Sequence, residues 1–84
     1  MVTKKQGEEA VGELEQWADR IVGSLDDRIK TSVYYDPDSS TYVIRLARDS
    51  RVLLFRLSEA QLQTDGRSEE CEKILKTKIK NISG

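Results

Sequence analysis

The residue types that most often carry out catalysis are sparse in this sequence. It contains no histidine, so the commonest general base and the commonest metal ligand of proteins are both missing. Its single cysteine, Cys71, lacks a second cysteine for a thiolate metal site and a histidine to activate it as a nucleophile. We therefore expect Cys71 to be a small buried side chain, and we predict no catalytic residue.

Carboxylates are the remaining candidates for acid–base or metal chemistry, and three short clusters of them could bring two or more together. These clusters are Asp26 with Asp27, Asp36 with Asp38, and Glu69 with Glu70 and Glu72. None of them has the ligand spacing and the glycine of a calcium-binding loop. The five glycines are scattered, which argues against a phosphate-binding loop. We predict that the protein is not an enzyme and that it binds no metal ion or cofactor.

Charge and hydropathy argue against two further classes of protein. The 14 basic and 15 acidic residues give a net charge of −1, which predicts no general attraction to nucleic acid or anionic lipid. No apolar run approaches the roughly 18 residues of a membrane span, and the first residues lack the apolar segment of a secretory signal. Together with the single cysteine, these features predict a cytoplasmic protein that does not bind membranes.

The apolar pattern predicts one small α+β domain over residues 1–84, with ragged ends at residues 1–6 and 82–84. Thr3 and Gln6 have the spacing of a capping box, which predicts that a helix begins between Lys4 and Glu8. The apolar residues that follow recur every three or four positions, the period of an amphipathic helix. They are Ala10, Val11, Leu14, Trp17, Ala18, Ile21, Val22 and Leu25.

Three alternating stretches follow, at residues 29–35, 42–47 and 52–57, and each is typical of a β-strand. A turn at 36–40 pairs Tyr35 with Tyr42, and a turn at 49–50 pairs Ile44 with Phe55. In this register every apolar inner position points to the same side. A second capping box at Ser58 then starts a short helical turn, and a final amphipathic helix follows. The predicted fold is α-β-β-β-α, a three-stranded antiparallel meander with two helices packed on one face.

The outer face of this sheet mixes apolar and cationic residues in an unusual way for a solvated surface. Six residues on it are candidates for an interface: Tyr34, Val43, Arg45, Val52, Leu54 and Arg56. One interpretation is a plain solvated face whose arginine stems cover a few apolar side chains. Another is a protein interface, because interface cores are enriched in these residue types; it would serve a homodimer or a separate partner. A third is a platform for single-stranded nucleic acid.

The order of elements resembles that of the double-stranded-RNA-binding domain, and the resemblance covers only that order. In that family RNA contacts the first helix, the loop between the first two strands and a lysine-rich start of the last helix. The matching places here carry acidic residues: Glu9, Glu13 and Asp19 on the helix, Asp36 and Asp38 in the loop, and Glu69 and Glu70 at the last helix. These charges oppose phosphate contacts. The sequence therefore favours a non-enzymatic protein-interaction module, with nucleic-acid binding as the alternative function.

Overall fold

The structure, a computed structural model, describes residues 3–64 and 66–83. A 3-10 turn at Gly7–Ala10 leads into helix α1 (Val11–Leu25), followed by strands β1 (Lys30–Asp36), β2 (Thr41–Arg48) and β3 (Arg51–Ser58), then helices α2 (Glu59–Gln63) and α3 (Ser68–Ser83). This arrangement confirms the predicted α+β fold. Within the described ranges, no helix combines the length and the hydropathy that crossing a membrane requires.

The sheet has the strand order β1-β2-β3, and both pairings are antiparallel. Tyr35 lies opposite Tyr42 and Ile44 lies opposite Phe55, so the predicted register is confirmed. A slip of one residue would turn the apolar inner positions to solvent, which is why alternation alone is enough to define this register.

One hydrophobic core fills the space between the sheet and the helices. Its fully buried members include Leu14 and Ala18 of α1, Ile44 of β2, and Cys71 and Leu75 of α3, each 0% exposed. Helix α1 packs mainly against β1, and α3 lies beneath β2 and β3. The two long helices therefore cover one face of the sheet side by side.

At the start of the described chain, where a ragged end is predicted over residues 1–6, Thr3 is buried whereas Lys4, Lys5 and Gln6 are exposed. Thr3 is only 3% exposed, and its hydroxyl donates a hydrogen bond of 2.9 Å to Glu13 Oε2. This bond replaces the predicted capping box with Gln6, and the α-helical geometry begins only at Val11, after the 3-10 turn. The backbone oxygen of Lys5 also accepts a hydrogen bond of 2.9 Å from Gln63. Residues 1 and 2 lie outside the described part of the chain.

At the other end, where a ragged segment is predicted over residues 82–84, α3 includes residues 82 and 83. Ile82 is 3% exposed, and the Ser83 hydroxyl donates a hydrogen bond of 2.8 Å to Asp26 Oδ2, so α3 continues to Ser83. Arg48 Nε lies 2.9 Å from the same carboxylate oxygen. Asp26 thus joins the ends of α1, β2 and α3, and the hydrogen bond from Ser83 is the main cause that lowers the pKa of its carboxyl group. Residue 84 lies outside the described part.

Tyr42 connects the first turn of the chain to the start of α2. Its hydroxyl donates to the Gly7 carbonyl oxygen at 3.0 Å and lies 3.4 Å from Glu59 Oε1. The Gly7 N–H donates to the same carboxylate oxygen at 2.8 Å. Burial, followed by the Glu59 charge, raises the pKa of Tyr42 to about 12. Glu59 is held in place because Ser58 and Gln61 form the predicted capping box at the start of α2.

Candidate interaction surface

The face of the sheet that carries no helix is called the open face below. In the observed register it presents alternate residues of the three strands. They are Lys30, Ser32, Tyr34, Asp36, Thr41, Val43, Arg45, Ala47, Val52, Leu54, Arg56 and Ser58. The structure therefore places all six residues proposed from the sequence on one side of the sheet.

Three large hydrophobic side chains of the open face are more than half exposed. The exposed fractions are 52% for Tyr34, 53% for Val52 and 56% for Leu54. Within the described residues the other large hydrophobic side chain exposed to this extent is Leu25, at the end of α1. Exposed apolar side chains are thus concentrated on this face, as contact surfaces require.

Val43 differs from the sequence expectation, which placed it among the displayed residues. It points to the open face, yet its side chain is only 2% exposed. It lies opposite Tyr34 on one flanking strand and Arg56 on the other, so larger side chains stand on both sides of it. Val43 therefore lies beneath the accessible surface of the open face, and its neighbours form the surface that a partner would contact.

Arg56 is bound within the protein at the end of the sheet near the β1–β2 turn. Its Nη1 donates to Asp36 Oδ2 at 2.9 Å and to Thr41 Oγ1 at 3.0 Å. The hydrogen bond from Arg56, followed by one from Ser39, holds the pKa of the Asp36 carboxyl below its usual value. Asp38 also donates its backbone N–H to Asp36. The charge of Arg56 is therefore largely compensated inside the chain.

Arg45 has a different environment, although the sequence grouped it with Arg56. It is exposed on the central strand, opposite Ser32 on β1 and Leu54 on β3. None of the residues that the structure describes forms an ion pair or a side-chain hydrogen bond with it. The open face thus carries an uncompensated guanidinium in the middle of its apolar side chains.

A groove of about 450 Å³ runs from the open face over the outer edge of β3. It is lined by Tyr34, Val43, Leu54, Phe55, Arg56 and Lys78. Phe55 and Lys78 were not among the residues proposed from the sequence, because one belongs to the inner face and the other to α3. The only sequence signal was that Lys78 falls at the margin of the apolar stripe of α3, where a long stem reaches solvent.

The groups that could carry covalent or metal chemistry lie away from this surface or are dispersed. Cys71 is 0% exposed, and burial raises the pKa of its thiol. Within residues 3–64 and 66–83, the cysteine and carboxylate side chains form no group of three or more that could hold a metal ion.

The three places that contact RNA in the double-stranded-RNA-binding domain are acidic and exposed in this structure. They present Glu9 in the 3-10 turn and Asp19 on α1, Asp38 in the β1–β2 turn, and Glu69 and Glu70 on the first turn of α3. Comparison of the chain with protein-family models, with curated proteins and with solved structures finds no match.

Proposed function

We propose that this protein is a non-enzymatic binding module whose open face docks onto another protein. The observation that carries the proposal is the cluster of exposed Tyr34, Val52 and Leu54 around Arg45, which has no ion-pair partner among the described residues. Tyrosine, arginine and large aliphatic side chains are the residues that dominate the energetics of protein interfaces or line their cores.

The charge of the open face indicates the chemistry of the partner. Lys30, Arg45 and Arg56 are opposed by the single carboxylate of Asp36, which Arg56 already occupies. Covering Arg45 with an apolar surface would leave a buried charge without a counter-ion, which is costly. A partner surface that presents a carboxylate surrounded by apolar side chains would pair with Arg45 and also cover the exposed apolar side chains. Stacking two open faces would bring arginine close to arginine, so the charge favours a different, acidic protein.

The proposal is tested by affinity capture from an extract of the source cells, followed by binding measurements with each purified partner. Tyr34→Ala and Arg45→Glu should each weaken the interaction about tenfold or more, because each removes a central contact. Leu25→Ala and Arg20→Glu are matched controls, since they change an exposed hydrophobic and an exposed cation on α1 instead. They should leave the affinity unchanged.

Two results would contradict the proposal. The first is that every captured protein binds the Tyr34→Ala and Arg45→Glu variants with the same affinity as the unchanged protein. The second is binding of a short labelled single-stranded oligonucleotide at low salt that weakens steeply as salt rises and is lost in the double variant Arg45→Ala, Arg56→Ala. That second result would assign the face to nucleic acid.

A further inference from the structure

Strand β3 forms an edge of the sheet that lacks the usual protection of such edges. It is eight residues long and pairs with β2 along its whole length without a bulge. Its sequence, RVLLFRLS, contains no proline and no lysine, and five of its eight residues are apolar. Its two charged side chains are held within the chain, Arg56 by the Asp36 carboxylate and Arg51 by the Ile82 carbonyl oxygen. Natural edge strands are normally short, bulged, charged or covered, because a long regular apolar edge pairs with another strand. The opposite edge, β1, is flanked by the 3-10 turn, where Glu8 shares a hollow with Val33.

The backbone groups that β3 offers can be identified residue by residue. Arg48 and Arg51 flank the two-residue turn and therefore form a hydrogen-bonded pair of the ladder. At the other end, the Glu59 N–H donates to the Ser40 carbonyl oxygen. Both observations show that the odd-numbered residues of β3 point their backbone groups towards β2. The Ser58 N–H donates instead to the Gln61 side chain, outside the ladder. Since successive residues point to opposite edges, the even-numbered residues direct N–H and C=O away from β2. The described residues give no hydrogen-bond partner to these outward groups of β3 before Ser58.

We propose that a second copy of this chain pairs with β3 in antiparallel orientation, so that two three-stranded sheets become one of six strands. A two-fold axis at Leu54 places Leu54 opposite Leu54 of the second copy and Val52 opposite Arg56 of the second copy. All three residues have outward backbone groups, so each of the three resulting pairs exchanges two hydrogen bonds. No like charges lie directly opposite each other in this register, and Leu53 meets Phe55 on the inner face.

The position of α3 fits this arrangement. The helix lies beneath β2 and β3, and neighbouring strands are roughly 4.8 Å apart. Joining two copies at β3 therefore brings their α3 helices to roughly 10 Å, the usual distance between packed helices. The flank of α3 that would meet its counterpart carries a hollow of about 430 Å³ lined by Glu70, Lys73, Ile74, Thr77 and Lys78. Lys78 also lines the groove at β3, so this flank lies on the side of the free edge.

The charges along α3 are complementary to an antiparallel copy of the same helix. The proposed dimer places Ile74, in the middle of this hollow's lining, near the two-fold axis, so that Glu70 faces Lys78 of the second copy and the reverse contact follows by symmetry. Within one helix Glu70 and Lys78 are eight residues apart, or roughly 12 Å, so they do not pair with each other.

The proposal goes beyond the proposed function and does not depend on it, because Arg45 and Tyr34 remain uncovered on a surface twice as large.

The first test is the mass in solution, measured by sedimentation or light scattering from micromolar to millimolar concentration. We expect the mass to rise from 9.6 kDa towards twice that value. Leu54→Pro removes an outward N–H without removing any bond to β2, and it should return the protein to monomer. Leu54→Thr keeps the N–H and should still dimerise. Amide exchange of Val52, Leu54 and Arg56 should slow as the protein concentration rises, which a dimer stacked through open faces would not produce.

The second test is a charge reversal that tests the register of the helices. Glu70→Lys and Lys78→Glu should each weaken dimerisation about tenfold, because each places two like-charged contacts across the two-fold axis. The double variant should restore it, since opposite charges face each other again. A monomer at every concentration would overturn the proposal, as would a dimer that survives both Leu54→Pro and Glu70→Lys. Failure of this test leaves the effect of Arg45→Glu on partner binding unchanged, so the two proposals fail separately.

Discussion

The Tyr42 hydroxyl lies where the first turn of the chain, the central strand and the start of α2 meet. It donates to the Gly7 carbonyl and lies beside the Glu59 carboxylate, which itself holds the Gly7 N–H. Ionising this hydroxyl would place two negative charges next to each other in a buried position. The protonated form is therefore favoured in the folded state, and the pKa of about 12 expresses that preference.

Tyr42 should make the stability of the protein fall in strongly alkaline solution. The pKa is about 12 in the folded state and about 10 in the unfolded chain, so the unfolded state releases its proton first. The stabilisation is complete below pH 10 and is lost as the pH rises from there through 12, by up to roughly 2–3 kcal/mol. The measurement is urea denaturation from neutral pH to about pH 12. Tyr42→Phe should lose about 1 kcal/mol at neutral pH and show less of this decline; parallel curves for the two proteins would contradict the assignment.

Val43 shows why some properties of single residues could not be predicted from the sequence. Alternation correctly assigned its side chain to the open face, because the period of a strand determines that side. Its 2% exposure comes with the side chains opposite it, Tyr34 and Arg56, and Arg56 is itself held by the carboxylate of Asp36 and the hydroxyl of Thr41. Such contacts between distant residues leave no local pattern in the sequence.

Among the described residues, the non-glycine residues with positive φ lie in the two β-turns. Ser40 has φ of +54° and Asp49 has φ of +56°, in the left-handed region that disfavours residues with a side chain. Aspartate tolerates this region better than serine, because its short polar side chain can bond the local backbone. The strain in the β1–β2 turn therefore falls mainly on Ser40.

Ser40→Gly should stabilise the protein by roughly 0.5–1 kcal/mol. Glycine adopts positive φ without steric cost, and this gain exceeds the extra entropy of glycine in the unfolded chain. Thermal or urea denaturation measures the change, with Ser40→Ala as the control that removes the hydroxyl and keeps the strain. A gain in the alanine variant equal to that in the glycine variant would show that the hydroxyl, and not the backbone, causes the effect.

The strands and the start of α1 differ in how well the sequence predicted them. The register of β2 and β3 was predicted residue by residue, because only one pairing puts Ile44 and Phe55 on a common apolar face. At the first helix, the predicted start between Lys4 and Glu8 agrees with the 3-10 turn that begins at Gly7, but the predicted capping box is absent, because Thr3 bonds Glu13 instead. A local signal was overridden there by a tertiary contact.

A single core joins the two long helices to the sheet, so a destabilising change in α3 should lower the stability of the whole protein. Leu75 is 0% exposed in that core, and Leu75→Ala should cost about 2–5 kcal/mol. Leu25→Ala, at a side chain 53% exposed, should stay within about 0.5 kcal/mol. Urea denaturation followed by Trp17 fluorescence on α1 and by circular dichroism should give coincident transitions for both variants. Separate transitions would mean that α1 and α3 unfold independently.

The reactivity of the Cys71 thiol can report how often the buried face of α3 becomes exposed to solvent. This thiol is fully covered and lies 3.6 Å from the Gln61 carbonyl oxygen of α2, so a thiol reagent reaches it only when α3 separates from the sheet or from α2. The chain has no other cysteine, and every labelling event therefore counts one opening of the same helix. If pairing of two copies holds α3 down, the labelling rate will fall as the protein becomes more concentrated.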